Sequence, residues 1–261
     1  MFGPIVEHVT ARQTLTDTLT MARRGLLRLR HTPQQLFDVI VIPIVFTIMF
    51  ANIFGGAIAG SVSAYLPQLV PGVLVSVAIS SSVVTGVSLR EDMNRGVFDR
   101  FISLPISRIA PLAGALLADV VRYAIAAVMS IGVGVVLGYR PASVLGTVGG
   151  VLLTMFAAFA ISWIFALLGV IMSKASAVQG ISMLVLMPLT FTSNIFVPVE
   201  TMPGWMRAIA EANPISHLVS ALRALANDGE ITAHVGVSLI GSALIIAVIA
   251  PIAVRAYLRR A

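Results

Sequence analysis

Long apolar stretches alternate with short polar ones along this chain, and the apolar stretches have the length of a bilayer crossing. A helix rises 1.5 Å per residue and must cover about 30 Å of hydrocarbon, so each crossing takes roughly 20 residues. Six runs meet that length, at about 36 to 58, 69 to 89, 109 to 138, 144 to 172, 177 to 197 and 234 to 257. The third and fourth exceed one bilayer thickness, which predicts tilt or projection beyond it. Thr32-Pro33-Gln34-Gln35 has the form of a helix start: Thr32 can cap, Pro33 suits the first turn and Gln35 can reach back.

Three segments outside these runs carry helical patterns of their own. Between Thr10 and Arg30, Leu15, Leu19, Ala22, Leu26 and Leu29 recur at steps of three and four, with the charges mostly elsewhere. That pattern reads as an amphipathic helix lying in the cytoplasmic membrane interface, with a docking helix for a partner protein as the alternative. The loop from Leu89 to Arg108 mixes both signs of charge with an apolar edge of Val97, Phe98, Phe101 and Ile102. It reads as a short amphipathic helix over about 90–102 that can insert into a partner's groove, or as a solvated connector. The segment from Pro198 to Glu230 is too polar to span. Trp205, Met206 and Ile209 sit at helical spacing, then Asn213-Pro214 supplies a cap and a first-turn proline. Ile215, Leu218, Val219, Leu222 and Leu225 form the stripe of a second helix, ended by Asn227-Asp228-Gly229. Two outer helices over about 203–226 are therefore expected, lying on or dipping into one leaflet.

Composition agrees with the periodicity: 58% of the 261 residues are apolar and 11% charged, outside the range of soluble domains. The net charge of +6 does not form a continuous basic face, so nucleic acid is not an expected partner. The basic residues report topology instead. With the N terminus inside, the inner segments hold Arg12, Arg23, Arg24, Arg28, Arg30, Arg90, Arg95, Arg100, Arg108, Lys174, Arg255, Arg259 and Arg260. The outer segments hold only Arg140, Arg207 and Arg223. Both termini are thus expected in the cytoplasm, with residues 1–32 a cytoplasmic N-terminal segment and 33–261 the transmembrane domain. The first apolar run begins too far in, and is too long, for a cleavable signal.

The chemistry absent from the chain is as informative. There is no cysteine, and the single lysine, Lys174, follows Ser173 rather than a phosphate-cradling glycine loop. The chain is therefore expected to have no ATPase site of its own and no catalytic residues. His8, His31, His217 and His234 show no shared ligand spacing, so no metal is expected.

Asp119 and Arg122 stand three apart inside the third run, on one helix face where they can pair. An unpaired charge at that depth costs at least ~2.5 kcal/mol. The pair is either part of a substrate path or a structural ion pair. Ser76, Ser80, Ser81, Ser82 and Thr85 mark the second run, where packing and backbone hydrogen bonds are the expected use. Met49, Phe50, Asn52, Phe54, Phe191, Asn194 and Phe196 are candidates to line a substrate path, because Met and Phe make an adaptable apolar wall.

Two segments resemble a known family. Asp92-Met93-Asn94-Arg95-Gly96-Val97-Phe98-Asp99-Arg100-Phe101-Ile102-Ser103-Leu104-Pro105-Ile106-Ser107-Arg108 resembles the cytoplasmic loop of type-2 ABC exporter permeases, especially daunorubicin and doxorubicin resistance permeases. Asn194-Ile195-Phe196-Val197-Pro198, Met202-Pro203-Gly204-Trp205-Met206 and Asn213-Pro214-Ile215-Ser216-His217-Leu218-Val219 are similar to that family's segment around the fifth span. The resemblance implies six spans, an N-terminal interface helix, a cytoplasmic coupling helix and outer re-entrant helices before the last span. It implies a dimer of permeases, identical or related, in a bacterial inner membrane. Each copy would dock on a separate ABC ATPase subunit, where ATP and Mg bind. On this analogy Asp92, Asn94, Gly96, Val97, Asp99, Arg100 and Phe101 contact the ATPase, and the cargo is an amphipathic drug-like or lipid-like compound. An exporter of a cell-envelope lipid or glycan within the same family is an alternative. A proton- or ion-coupled carrier is another, for which Asp119 and Arg122 are the hint.

Overall fold

In a computed structural model, which describes residues 10–31, 33–96, 107 and 109–260, every regular element is helical. The helices are α1 (Ala11–His31), α2 (Pro33–Ala59), α3 (Val62–Asn94), α4 (Ala110–Val136), α5 (Val144–Ile171), α6 (Ala175–Phe191), α7 (Gly204–Ala212), α8 (Pro214–Arg223) and α9 (Ala233–Leu258). Five of these, the one beginning at Phe37 within α2 together with α3, α4, α5 and α9, are long and apolar enough to cross a membrane. The chain is a multi-pass membrane protein. Thr32, expected to cap the first span, lies outside the described residues.

Two of the expected runs differ in extent. The second is a helix of 33 residues, about 50 Å long, that begins well before residue 69 and continues through Asn94. Pro67 and Pro71 do not break it. A proline at position 71 deprives the carbonyl of Pro67 of its helical donor, and Asn227 Nδ2 donates to that oxygen at 3.0 Å. Arg90 to Asn94 therefore belong to α3 and do not begin a separate helix. The fifth run is the opposite case. It was expected to reach residue 197, but α6 stops at Phe191 after 17 residues, about 26 Å and just short of a hydrocarbon core. Residues 192–198 run on without regular structure, which apolarity alone does not reveal because Ile195, Phe196 and Val197 are as apolar as a helix would be.

Around α3, the most enclosed helix, pack α2, α4, α5, α6 and α8. α1 lies along α4, and α9 packs on α5 and α8. The bundle thus has an α1 end, where α3 finishes and α4 begins, and an α8 end, where α3, α5 and α9 begin. The main core joins Leu74 and Ile79 of α3, Leu153 and Ala157 of α5, and the stripe Ile215, Leu218, Val219 and Leu222 of α8. α8 settles on α5 at Gly146 and Gly150: a Cβ at Gly146 would collide with the Leu225 carbonyl, and one at Gly150 with the Leu222 side chain. That G-x-x-x-G pair, uninformative in the sequence, is the seat of the α8 segment.

Candidate functional site

At the α8 end, the irregular segment after α6 folds back over α3. Gly72 of α3 makes room for it, since a Cβ there would meet the Ile195 carbonyl. The segment's backbone groups have no helical partners, and leaving them unmet in an apolar setting costs roughly 1–3 kcal/mol each. Side chains of α3 and of α8 with its cap meet them. Arg223 of α8 donates through Nη2 to the carbonyls of Asn194 at 2.8 Å and Ile195 at 2.9 Å, and to that of Gln68 at 2.6 Å. Gln68 Nε2 donates to Asn194 O at 3.2 Å, and Tyr65 Oη to Phe196 O at 2.5 Å. Asn213 acts at both of its ends: Oδ1 accepts from the Ile215 N–H at 2.9 Å to cap α8, and Nδ2 donates to Leu189 O at 2.7 Å to close α6. Burial lowers the Arg223 pKa to about 9, which leaves it a cation at neutral pH. Tyr139, raised to about 12 by burial, donates to Asn227 Oδ1 at 2.7 Å.

Held this way, Phe196 becomes the centre of an aromatic cluster. Its ring stacks on Phe50 at 4.3 Å between centroids and 15° between planes, Phe54 stacks on Phe50 at 5.4 Å, and Phe191 lies 6.0 Å from Phe196. Phe46, Phe50 and Phe54 recur every four residues and so share one face of α2. A cavity of about 330 Å³ opens beside them, with Phe50, Phe54, Phe191 and Phe196 on one side and Met202 and Met206 on another. Four of the seven residues expected along a substrate path therefore meet in one place. The other three do not join them. Asn194 is buried in the carbonyl network, with Nδ2 donating to Ser220 Oγ at 2.8 Å. Met49 and Asn52 lie on the exposed face of α2, and Asn52 Nδ2 bonds its own helix at Ile48 O.

The α1 end holds the buried ion pair. Arg122 Nη1 lies 2.8 Å from Asp119 Oδ1, and Thr85 of α3 donates to Asp119 Oδ2. Both charged residues are less than a tenth exposed. Ser81 and Ser82 bond carbonyls of their own helix, as expected for serines in a membrane bundle. A cavity of about 90 Å³ beside the pair is also lined by Arg24 of α1, Asp92 of α3 and Tyr257 of α9. Asn94 Oδ1 accepts from Arg90 at 2.6 and 2.9 Å, and Gly96 ends the helix in the left-handed region at φ +67. That conformation gives Gly96 a backbone reason to be glycine. Val97, Asp99, Arg100 and Phe101 lie outside the described residues. Where the loop returns, the Ser107 N–H donates to Asp17 Oδ2 of α1 at 2.9 Å.

The family follows from comparison with known proteins. A model of the ABC-2 type transporter family matches residues 16–226, from within α1 to the turn after α8. The chain belongs to the ABC-2 type transporter family. It is 46% identical over 249 residues to the daunorubicin resistance ABC transporter permease protein DrrB1 of Streptomyces coeruleorubidus, covering 95% of this chain and 88% of that one. It is 25% identical over 151 residues to the probable doxorubicin resistance ABC transporter permease protein DrrC of Mycobacterium tuberculosis, covering 58% of this chain and 54% of that one.

Several residues of this ABC-2 type chain act in ways its sequence pattern does not announce. Arg223, Gln68 and Thr85 work through partners 28 to 155 positions away, and no periodicity links them. Asp17 read as one charge on a polar helix face. His217 and His234, which share no ligand spacing in the sequence, meet with Nδ1 atoms 2.9 Å apart. One ring must donate and the other accept. Among the described residues no third ligand completes a metal site there.

Proposed function

We propose that the chain is the permease subunit of an ATP-driven exporter that moves an amphipathic, drug-like compound out of the cytoplasm or the inner leaflet. The 46% identity to a daunorubicin resistance permease over nearly the whole chain supports this reading. So does the aromatic cavity, which is the observation that carries the cargo class. Stacked phenylalanine faces with two adjacent methionines suit flat, apolar ligands, and methionine repacks around varied shapes. In this reading the α1 end is cytoplasmic, both termini lie inside a bacterial inner membrane, and α7 and α8 are re-entrant on the outer side. Exposed Leu15, Leu19 and Leu27 fit α1 to the inner interface.

ATP and Mg bind on a separate ABC ATPase subunit, two copies per complex, each engaging the end of α3 and the loop after it, from Asp92 to Phe101, of one of two permeases. The Asp17 tie to Ser107 fits α1 to steady the far side of that loop. The chain itself supplies no hydrolytic residue. Energy enters as movement of the loop and leaves as a different affinity at the aromatic cavity, which is the requirement any ligand-coupled change must meet.

Purified permease and ATPase in vesicles test the reading. Replacing both Phe50 and Phe196 by Ala removes contacts worth about 0.5–1.5 kcal/mol each beyond area, so export should fall about tenfold with the ATPase still bound. Asp99→Ala should lower export without lowering the amount of assembled complex. It is a cleaner variant than one at Gly96, whose backbone conformation any other residue strains. Full export in both variants would refute the assignment.

A further inference from the structure

A second cavity pair at the α8 end lies away from the aromatic cluster. α6 packs on α3 and α5, α9 packs on α5 and α8, and an apolar cavity of about 450 Å³ occupies the space left between α6 and α9. Its volume is in the range of ligand sites. Among its walls are Leu186 of α6, Phe165 of α5, and Ser238 and Gly241 of α9. The Ser238 hydroxyl is buried there and has no hydrogen-bond partner among the described residues. Beside it, a polar cavity of about 600 Å³ is lined by Glu200, Glu211, Asp228 and Asn194. His217 lines both, so the apolar and polar spaces adjoin at the His217–His234 pair.

The polar cavity offers acceptors. Asn194 is 95% buried, yet its Oδ1 has no hydrogen-bond partner among the described residues. No ion pair to Glu211 or Asp228 occurs among the described residues, while Arg223, bonded to backbone carbonyls, lies close enough to Glu200 to interact with its charge. One buried acceptor without a donor, beside the exposed carboxylates of Glu211 and Asp228, fits a ligand that brings hydrogens and positive charge. The adjoining apolar space calls for a hydrocarbon body.

We propose that this cavity pair binds an amphiphile whose head is a protonated primary amine, a cation that also carries N–H donors, with its apolar body between α6 and α9 and its head among Asn194, Glu211 and Asp228. Taking the α8 end as outer, the ligand enters sideways from the outer leaflet. Two sources share this chemistry: an amine-headed bilayer lipid and a free cationic amphiphile.

The test uses the full chain in phosphatidylcholine vesicles and needs neither ATPase nor export, so it stands or falls separately from the exporter reading. A phosphatidylethanolamine with a diazirine near the end of one acyl chain is photolysed, and labelled peptides are mapped by mass spectrometry. Phosphatidylglycerol with the same chain is the control. Labelling should concentrate on residues 237–245 and 181–189, about threefold or more above the control, the scale of one partly exposed charge contact. A Cβ at Gly241 meets open space, so Gly241→Phe should fill the cavity without disturbing the fold and cut labelling about tenfold. The paired Glu211→Gln and Asp228→Asn variant should keep the labelled position but lose the preference for the amine head. Unlabelled dodecylamine that displaces the lipid, where dodecyl sulfate does not, assigns a site open to free amphiphiles. No displacement by either assigns the site to the lipid. Equal labelling by the two lipids, or labelling untouched by Gly241→Phe, would overturn the proposal.

Discussion

The two ends of this bundle solve one problem, polar groups in an apolar setting, by opposite means. At the α8 end the offending groups are backbone carbonyls of the irregular segment 192–198 and of the proline-bearing start of α3. Arg223, Gln68, Tyr65, Asn213 and Asn227 each reach across to a carbonyl of another element. At the α1 end the backbone is helical up to Asn94, and the polar groups are mainly side chains: Asp119 meets Arg122 and Thr85, and Arg122 also reaches the Ser81 carbonyl. The first arrangement locks a chain path, because a carbonyl moves only with its peptide. The second is carried mainly by side chains, which fix rotamers and tie α4 to α3 through Thr85 and the Ser81 carbonyl. That asymmetry puts the carbonyl-anchored contacts around the aromatic cavity and the mainly side-chain contacts around the ion pair.

Breaking the α8 end should have the largest effect. Arg223→Leu leaves three carbonyls without their shared donor, and we expect a loss of about 3–5 kcal/mol, read as a fall in folded yield and thermal midpoint of the purified protein. Arg223→Lys should recover only part, because an ammonium lacks the planar fork. A tolerated Arg223→Leu would mean the segment is held by packing alone.

The α1 end should behave differently. Asp119→Ala strands a buried Arg122 and is expected to cost about 3–5 kcal/mol, but Asp119→Leu combined with Arg122→Met should return most of it, as apolar replacements of buried pairs do. Export by that double variant then sharpens the comparison. Normal transport makes the pair structural, and lost transport in a stable protein places it on the working path.

The smallest effect belongs to Asp17→Ala, which removes one partly exposed hydrogen bond to Ser107. We expect about 1 kcal/mol, a thermal shift of roughly 2–4 °C, with a larger relative loss of ATPase stimulation than of stability. Equal losses in both would count against a coupling role for α1.

The residues themselves determined a good deal. Six apolar runs, the capping Asn213-Pro214, the stripe of α8 and the pairing of Asp119 with Arg122 all follow from local rules: a helix repeats every 3.6 residues, a bilayer has one thickness, and neighbours three apart share a face. What those rules cannot reach is any partnership whose two members are far apart in the chain. That α6 halts at Phe191, that Arg223 serves Gln68 and Asn194, that His217 meets His234, and that Gly146 seats α8 depend on how helices settle against each other. Burial decides these, since a carbonyl or a guanidinium removed from water must find its partner wherever packing has put one, and packing is a property of the folded bundle rather than of any window of sequence.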